Sequence, residues 1–204
     1  MTEQNTNIAA SAGKIIRAAT DLFARESFSR VSIKEIAAAS GVNSALISYY
    51  FGGKKNLYQE ILNTQADAFL KLQEKITETG LPPLEKLRLY ADSIAAMQDE
   101  HPYHIHLIYR ELLSPQPMFE NYVKKRLYRI HQFMADLVAE AVGDGDIVTA
   151  IRPTHVAFTL ESIIMFFFLM RSHVRTLGRF APGTEKEYLI EALDTYLSSL
   201  KPRA

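Results

Sequence analysis

The sequence predicts an all-α protein built from about nine helices. Apolar residues recur at the three- and four-residue spacing of amphipathic helices along most of the 204 residues. No segment shows the sustained alternation of apolar and polar residues that is typical of a half-buried strand. Glycine and proline residues interrupt the periodicity, and each interruption predicts the end of a helix. These observations together favour a fold of helices packed on helices.

The first helix is predicted over about residues 7–26. Its apolar face is formed by Ile15, Ala18, Ala19, Leu22 and Phe23. Ser32 followed by Glu35 is a capping-box pair, which predicts a second helix over residues 33–39. Gly41 suits the left-handed conformation of a helix C-cap, so the second helix is expected to end there.

A third, short helix is predicted to run to about Tyr50, with Asn43 or Ser44 as its N-cap. Gly52-Gly53 breaks the chain again, and a long fourth helix follows over about residues 54–78. The remaining helices are predicted at about residues 83–100, 103–113, 117–142, 153–177 and 184–200. A group of short N-terminal helices therefore precedes a larger helical remainder.

Composition excludes several kinds of site. The chain has no cysteine, which excludes disulfides, thiolate zinc sites and cysteine nucleophiles. The polar N-terminus lacks the basic start and apolar run of a signal peptide. The longest apolar run, residues 156–170, carries Glu161 and is shorter than the roughly 20 residues that a membrane span needs. We therefore expect a cytoplasmic protein that does not enter a membrane.

Charge is distributed unevenly although the formal net charge is zero. Residues 1–58 carry seven Lys or Arg and four Asp or Glu, which gives this part a net charge of +3 and leaves −3 on the remainder. A positive N-terminal part has the sign expected of a surface that faces nucleic acid.

The segment from Val31 to Tyr58 carries a specific pattern. It contains Ile36-Ala37, Gly41-Val42, a Tyr-Tyr-Phe run at 49–51, and Lys54 before Leu57. Together with the apolar face of the first helix, this pattern resembles the DNA-binding domain of the TetR family of regulators. The resemblance implies a DNA-binding domain of three helices at residues 1–53. It also implies a ligand-binding and dimerisation domain at 54–204, in which helix 54–78 connects the two.

The same segment has the layout of a helix-turn-helix, independently of the resemblance. Two short helices joined by a glycine-containing turn form this motif, and its second helix enters the major groove of DNA. Val42, Leu46 and Phe51 are predicted to face the core. Asn and Ser can read base edges, and Ala can contact a thymine methyl group. The side chains predicted to face outward are Asn43, Ser44, Ala45, Ser48 and Tyr49.

Contacts to DNA phosphates are implied mainly by the resemblance. It assigns them to Tyr50 and Lys54, with Ser32 and Tyr49 as helpers. Lys54 and Lys55 also lie in the first turn of a helix, where positive charge opposes the helix dipole. After two glycines that expose backbone amides, this placement predicts a phosphate cradle. The alternative is a pair of solvated lysines.

The larger domain is predicted to bind a ligand and to dimerise. The eighth and last helices have extensive apolar surfaces, and the resemblance implies that they pair with their symmetry mates in a homodimer. A mostly apolar pocket is predicted to be lined by Tyr90, Met97, His104, Tyr109, Tyr128, Glu161, Met165 and Phe168. The resulting hypothesis is a repressor that leaves a palindromic operator when a small, largely apolar effector binds. No cofactor is expected.

Arg110-Glu111 and Glu161 are polar groups among apolar helical residues. An internal ion pair or a solvent-facing turn explains them as well as a ligand contact does.

A rival interpretation uses the histidines. His101, His104 and His106 lie close together, which suggests a metal-dependent enzyme or another all-helical ligand-binding protein. Pro102 interrupts the segment, however, and the second and third histidines would point in different directions on a helix. The sequence carries no recognisable catalytic triad, phosphate loop or His-Glu-x-x-His spacing. We therefore expect neither a metal site nor enzymatic activity.

Overall fold

The computed structural model describes residues 3–100, 104–113, 120–148, 150–178, 181 and 184–202. All regular elements within these ranges are helices, which confirms the prediction of an all-α fold. The ten helices found there are α1 (Glu3–Arg25), α2 (Ile33–Ser40), α3 (Ser44–Phe51), α4 (Lys54–Thr77), α5 (Pro83–Glu100), α6 (His104–Leu113), α7 (Glu120–Gly143), α8 (Pro153–Leu169), α9 (Arg171–Gly178) and α10 (Glu185–Ser199).

The described residues divide into two compact units. The first unit consists of the described residues within 1–67 and 106–119. The second unit consists of the described residues within 68–105 and 120–204. The divisions therefore fall inside α4 and inside α6. The predicted domain boundary after residue 53 is a different division, which marks the end of the helix-turn-helix segment, and it stays a prediction.

The first unit has an aromatic and aliphatic core under α1, α2 and α3. Phe23 and Tyr58 are fully buried, and their ring centroids are 4.7 Å apart in an edge-to-face contact. Phe28 follows α1 and packs its ring 5.1 Å from that of Tyr58. Ile36 of α2 and Ile47 of α3 complete this core with no exposed surface. Such burial supplies most of the free energy that holds short helices in place.

In the second unit, α7 packs against α5 and α8, and α10 packs against α5 and α8. Two surface ion pairs link α5 to the end of the chain: Arg88 with Asp194, and Lys186 Nζ with Asp92 Oδ1 at 2.7 Å. The backbone amide of Val148, in the turn after α7, donates to a carbonyl at the C-cap of α10 at a distance of 2.7 Å. These contacts anchor the last helix to the unit.

The prediction of one helix over residues 153–177 is wrong. The chain leaves the helical conformation at Met170, where φ is −92° and ψ is 1°, so that α8 and α9 are separate helices. The Met170 amide still donates to the carbonyl of Phe166, and its own carbonyl accepts from the amide of His173. No glycine or proline stands at this position, so the sequence contains no breaker that would reveal the end of the helix. The described residues accordingly form ten helices instead of about nine.

Within the described ranges, no helix is both long and apolar enough to cross a membrane. The predicted start of the seventh helix at residue 117 lies outside the described residues, and α7 is described from Glu120.

Candidate nucleic-acid interface

The second helix is held at both ends by local interactions. The Ser32 amide donates to Glu35 Oε2 at 2.7 Å, and the Glu35 amide donates to Ser32 Oγ at 3.2 Å, which confirms the predicted capping box. The bonds from the side chain and backbone of Ser32 lower the pKa of Glu35. Gly41 adopts φ 66°, the left-handed C-cap expected of a glycine. The turn that leads into α3 is therefore set by residues close together in sequence.

The third helix begins at an asparagine cap and presents one polar face to solvent. Asn43 Oδ1 accepts from the amide of Ala45 at 2.9 Å, so Asn43 is the N-cap of the two candidates. Ile47 faces the core with no exposed surface. All five side chains predicted to face outward are exposed: Asn43, Ser44, Ala45, Ser48 and Tyr49.

Sequence reasoning missed the main core contact of α3. Val42, Leu46 and Phe51, which were expected to face the core, are half-buried, whereas Ile47 is completely buried. Ile47 stands four residues before Phe51, so the helical spacing between these two apolar residues could have identified it.

Two tyrosines at the end of α3 have different environments. Tyr49 is 77% exposed, and Tyr50 is half-buried. Their rings meet edge to face with centroids 5.3 Å apart. Tyr50 also meets the ring of Phe51 at 6.4 Å. The aromatic group behind Tyr49 thus holds an exposed phenol ring on the surface of the helix-turn-helix.

Lys54 is tied to the loop between α1 and α2. Its Nζ donates to the carbonyls of Phe28 and Val31, each at 2.8 Å, and lies 4.4 Å from the centroid of the Phe28 ring. An ammonium group has three hydrogens to donate, so one remains for a further acceptor. Lys55 is exposed. Sequence reasoning missed the carbonyl contacts of Lys54 because they join residues 23 and 26 positions apart.

The two glycines before α4 have different requirements. Gly52 caps α3 at φ 70°, and a Cβ there would come within 2.9 Å of the side chain of Asn56. Gly53 adopts φ 113°, which side chains rarely tolerate. Both positions therefore need glycine to turn the chain into α4.

The paired residues Arg110 and Glu111 of α6 are internal to the first unit. The guanidinium of Arg110 donates to the carbonyls of Phe23 and Glu26, and to that of Ala24 at 2.5 Å. A cation at these carbonyls complements the negative end of the α1 dipole. Arg110 therefore binds backbone carbonyls, an arrangement that was not among those expected for it.

Glu111 is 2% exposed, and its Oε1 accepts from the Tyr58 hydroxyl at 2.6 Å. Burial, reinforced by this hydrogen bond, raises the pKa of Tyr58 far above its usual value, so the hydroxyl remains a donor. The pair joins α6 to the start of α4 within the first unit.

The residues predicted to line a ligand pocket have different surroundings. Tyr90 and Phe168 are buried, Met97 and Met165 are half-buried, and Glu161 is half-buried against His131. Tyr128 is 66% exposed and lines an open groove of about 450 Å³ between the end of α4 and α7. The side chains of His104 and Tyr109 lie outside the described residues. Burial, with a smaller contribution from the charge of Glu161, raises the pKa of Tyr90.

The histidine segment forms no recognisable metal site in the part of the chain that the structure describes. His101 and the side chain of His104 lie outside that part. His106 keeps access to solvent, and burial and the charge of Arg110 lower its pKa. Among the described side chains, no group of three histidines or carboxylates could hold a metal ion.

An apolar surface extends over α8 and α10 in the second unit. Phe158 and Phe166 are 66% and 64% exposed, and Tyr188 is 42% exposed. A cleft of about 720 Å³ lies on this surface, with Phe166, Phe167, Met170 and Tyr188 among its walls. Exposed apolar surfaces of this kind are typical of sites where proteins bind other molecules.

Two family models match the chain. The model described as bacterial regulatory proteins of the tetR family matches residues 15–61. The model described as the C-terminal domain of the HTH-type transcriptional dual regulator CecR matches residues 83–198, which is more than half of the chain.

Relatives and solved structures agree with these matches. The chain is 27% identical over 164 residues to YttP of Bacillus subtilis (strain 168), covering 79% of this chain and 78% of that protein. It is 26% identical over 136 residues to the HTH-type transcriptional repressor KstR2 of Mycolicibacterium smegmatis, covering 65% of each. The solved structure of the ketosteroid transcriptional regulator KstR2 of Mycobacterium tuberculosis superposes with a TM-score of 0.76 at 17% identity, covering 94% of this chain and 95% of that one.

A helix-turn-helix with an exposed second helix, on a chain that continues into a second helical unit, defines a DNA-binding transcriptional regulator. With both family models matched in order, the chain belongs to the TetR family of bacterial regulators. It is a regulator and not an enzyme, as the sequence predicted.

Proposed function

We propose that this protein is a ligand-responsive repressor that binds a palindromic operator as a homodimer. The observation that carries the proposal is the exposed polar face of α3, opposite the buried Ile47 in a capped helix-turn-helix. A helix of this kind enters the major groove, where side-chain amides and hydroxyls distinguish base pairs. The protein would act in the cytoplasm, where operator DNA is found.

Base reading is assigned to the exposed face of α3. Asn43 and Ser48 carry groups that bond to base edges, although the cap bond at Asn43 occupies its Oδ1 and leaves its NH₂ to donate. Ala45 offers a methyl group to thymine, and Ser44 offers a hydroxyl at the helix N-terminus. These contacts determine which operator is chosen.

Phosphate binding is assigned to the residues around α3. Tyr50, which is half-buried, is assigned a phosphate contact, and Tyr49, which is 77% exposed and meets its ring edge to face, is assigned as a helper. Ser32 Oγ accepts the Glu35 amide in the capping box, so its hydroxyl hydrogen remains for a phosphate oxygen. Lys54 has one hydrogen left after its two carbonyl contacts. We propose that Lys54 contributes to binding in two ways, by contacting a phosphate and by fixing the loop before α2.

The sequence predicted that the homodimer forms through its last two helices, over residues 153–177 and 184–200. We assign the interface to α8 and α10, the longest helices within these two ranges. Their exposed aromatic surface supports this, because an isologous interface covers the same apolar face on both copies. Two recognition helices related by a two-fold axis reach successive major grooves when they stand about 34–36 Å apart. Because the two recognition helices are related by a two-fold axis, the operator should consist of two half-sites arranged as a palindrome.

Release by a small, largely apolar effector completes the proposal. The sequence-predicted pocket residues that are buried, Tyr90 and Phe168, are aromatic. KstR2 is described as a repressor, and its solved structure is described as a ketosteroid regulator, which supports repression and an apolar effector. An effector weakens operator binding by preferring a conformation that does not fit the operator, with α4 as the continuous element that enters both units.

Selection of binding sites from random duplex DNA with the purified full-length protein tests the proposal. We expect enrichment of a palindrome with two half-sites, and binding that weakens steeply as salt is raised. Placing the enriched site upstream of a reporter then distinguishes repression from activation. A folded protein that enriches no sequence would contradict the proposal.

A further inference from the structure

A partly buried polar pair lies between α7 and α8 in the second unit. Nδ1 of His131 is 3.0 Å from Oε2 of Glu161. The two side chains are 27% and 14% exposed. Burial raises the pKa of Glu161, and the hydrogen bond to His131 opposes that change. One oxygen of the carboxyl group is therefore satisfied by the protein.

The other oxygen of Glu161 is not satisfied. Oε1 is shielded from solvent and has no hydrogen-bond partner among the described residues. Buried polar atoms are nearly always hydrogen-bonded, because an unsatisfied acceptor has lost its interaction with water without replacement. The oxygen thus marks a position where a donor from outside the chain would be stabilised.

Apolar residues flank the pair of His131 and Glu161 in the second unit, where the His131 ring lies 6.4 Å from that of Phe158. Ile164 stands three residues further along α8, on the same side of the helix as Glu161, and is 4% exposed. Tyr90 of α5 is buried and packs against Phe133 with ring centroids 5.4 Å apart. Burial and the charge of Glu161 raise the pKa of Tyr90, against the effect of its hydrogen bond with Gln73. The carboxyl group therefore shares its side of α8 with a buried aliphatic residue and bonds to a histidine that contacts an aromatic ring.

We infer that Glu161 Oε1 accepts a hydrogen bond from the effector, and that this effector is a largely apolar molecule ending in a hydroxyl or a protonated amine. The inference rests on the proposed function, because it names the class of its effector. The donor satisfies the buried acceptor, and the apolar body suits the neighbouring side chains. A molecule ending in a carboxylate would bring a second negative charge to Glu161 and is disfavoured.

Three molecules with the same chain and different ends test the inference: 1-decanol, decylamine and decanoate. Each is added to the full-length protein, and the change in Tm is measured. We expect the alcohol and the amine to raise Tm, and decanoate to raise it less. Glu161→Gln keeps an oxygen acceptor without the charge, so the response to decanol should persist while that to decylamine falls. Glu140→Gln, an exposed position on α7, should respond as the natural protein does.

Glu161→Leu separates an effector anchor from a purely structural ion pair. Leucine removes the buried acceptor but also leaves His131 without its partner, so the Tm without ligand should fall, while the responses to both donors are lost. A clearly lower Tm with the responses retained would overturn the inference. If Glu161→Leu does not fold, the inference is tested by Glu161→Gln alone. A Tm response to decylamine as large as that of the natural protein would then overturn it.

The inference is also overturned if decanoate gives the largest shift or if none of the three molecules stabilises the protein. Operator binding is measured on the same preparations without added ligand. A natural protein that does not bind the operator would contradict the proposed function. If the natural protein binds the operator but the ligand responses overturn the inference, only the assignment of Glu161 is contradicted.

Discussion

At the scale of single residues, the first unit depends on cations and acids that bond across long sequence separations. Lys54 holds two carbonyls of the loop before α2, and Arg110 holds carbonyls at the end of α1, 84 to 87 positions away. Each contact satisfies backbone acceptors that the helix ends and the loop leave open. The conformation presented to DNA is therefore fixed partly by side chains that do not need to contact DNA.

Replacing Lys54 with alanine should lower both stability and operator affinity. The variant leaves two carbonyls without their charged donor, so we expect the free energy of unfolding to fall by about 1.5–3 kcal/mol. If Lys54 also contacts a phosphate, the slope of log affinity against log salt should become shallower by about one. Denaturant unfolding and a salt titration measure the two effects. Lys55→Ala, at the exposed neighbouring lysine, should leave the stability unchanged, and equal losses in both variants would contradict the assigned role.

Replacing Tyr58 with phenylalanine should destabilise the first unit. It removes the donor to the nearly fully buried Glu111 without changing the packing of the ring, so a loss of about 1–3 kcal/mol in unfolding free energy is expected. Denaturant unfolding measures this loss. Tyr128→Phe changes an exposed tyrosine of the second unit and should shift the value by less than about 0.5 kcal/mol. A result for Tyr58→Phe as small as that would show that the hydrogen bond contributes little.

At the scale of elements, the short helices α2 and α3 are defined by their caps. The capping box of α2 and the asparagine cap of α3 satisfy backbone amides that have no partner within the helix. Left-handed glycines end both helices. Since each helix is only eight residues long, the caps and one buried isoleucine apiece decide whether it forms.

The capping box should make stability depend on pH in the acid range. Glu35 has a lowered pKa in the folded protein, so its stabilising effect is present above its unfolded pKa and is lost as pH falls through the lower folded value. Glu35→Gln should therefore lower Tm near neutral pH, and the difference from the natural protein should shrink as the solution is acidified below about pH 4. Glu78→Gln serves as the control at an exposed glutamate on the turn after α4. A difference that stays constant over this range would rule out the charge of Glu35 as its cause.

The same elements show how far sequence reasoning reaches. The capping box was predictable because Ser32 and Glu35 are three residues apart, and the exposed face of α3 followed from helical spacing. The carbonyl contacts of Lys54 and Arg110 were not predictable, because nothing local records which distant carbonyl a long side chain will meet. The end of α8 at Met170 was also hidden, because no glycine or proline stands there to signal it.

At the scale of the whole molecule, two functions are assigned to two units of the chain. Residues 1–58 carry the positive charge and the helix-turn-helix, whereas the second unit carries the exposed aromatic surface of α8 and α10. A regulator of this design reads a palindrome only if it forms a symmetric dimer, since one recognition helix contacts a single half-site. Dimer formation and operator binding are therefore linked.

A charge on the surface of α8 should break the dimer. Phe166→Glu places a carboxylate where the proposed interface excludes water, so a monomer is expected at micromolar concentration. Sedimentation velocity measures the oligomeric state. Val148→Glu is the matched control, because Val148 is also 64% exposed but lies in the turn after α7. A dimer that survives Phe166→Glu, or a natural protein that is monomeric, would contradict the assigned interface.

Equilibrium binding to the selected site measures whether α3 reads a palindromic operator. The natural protein, Tyr49→Ala and Val148→Ala are each titrated onto the palindrome and onto a copy with one half-site scrambled. We expect tight binding only to the intact palindrome, a loss of about tenfold or more in Tyr49→Ala, and no change in Val148→Ala. Equal affinity for the intact and scrambled sites would contradict operator reading by α3. An affinity left unchanged by Tyr49→Ala and also by variants of Ser48 and Asn43 would contradict it as well.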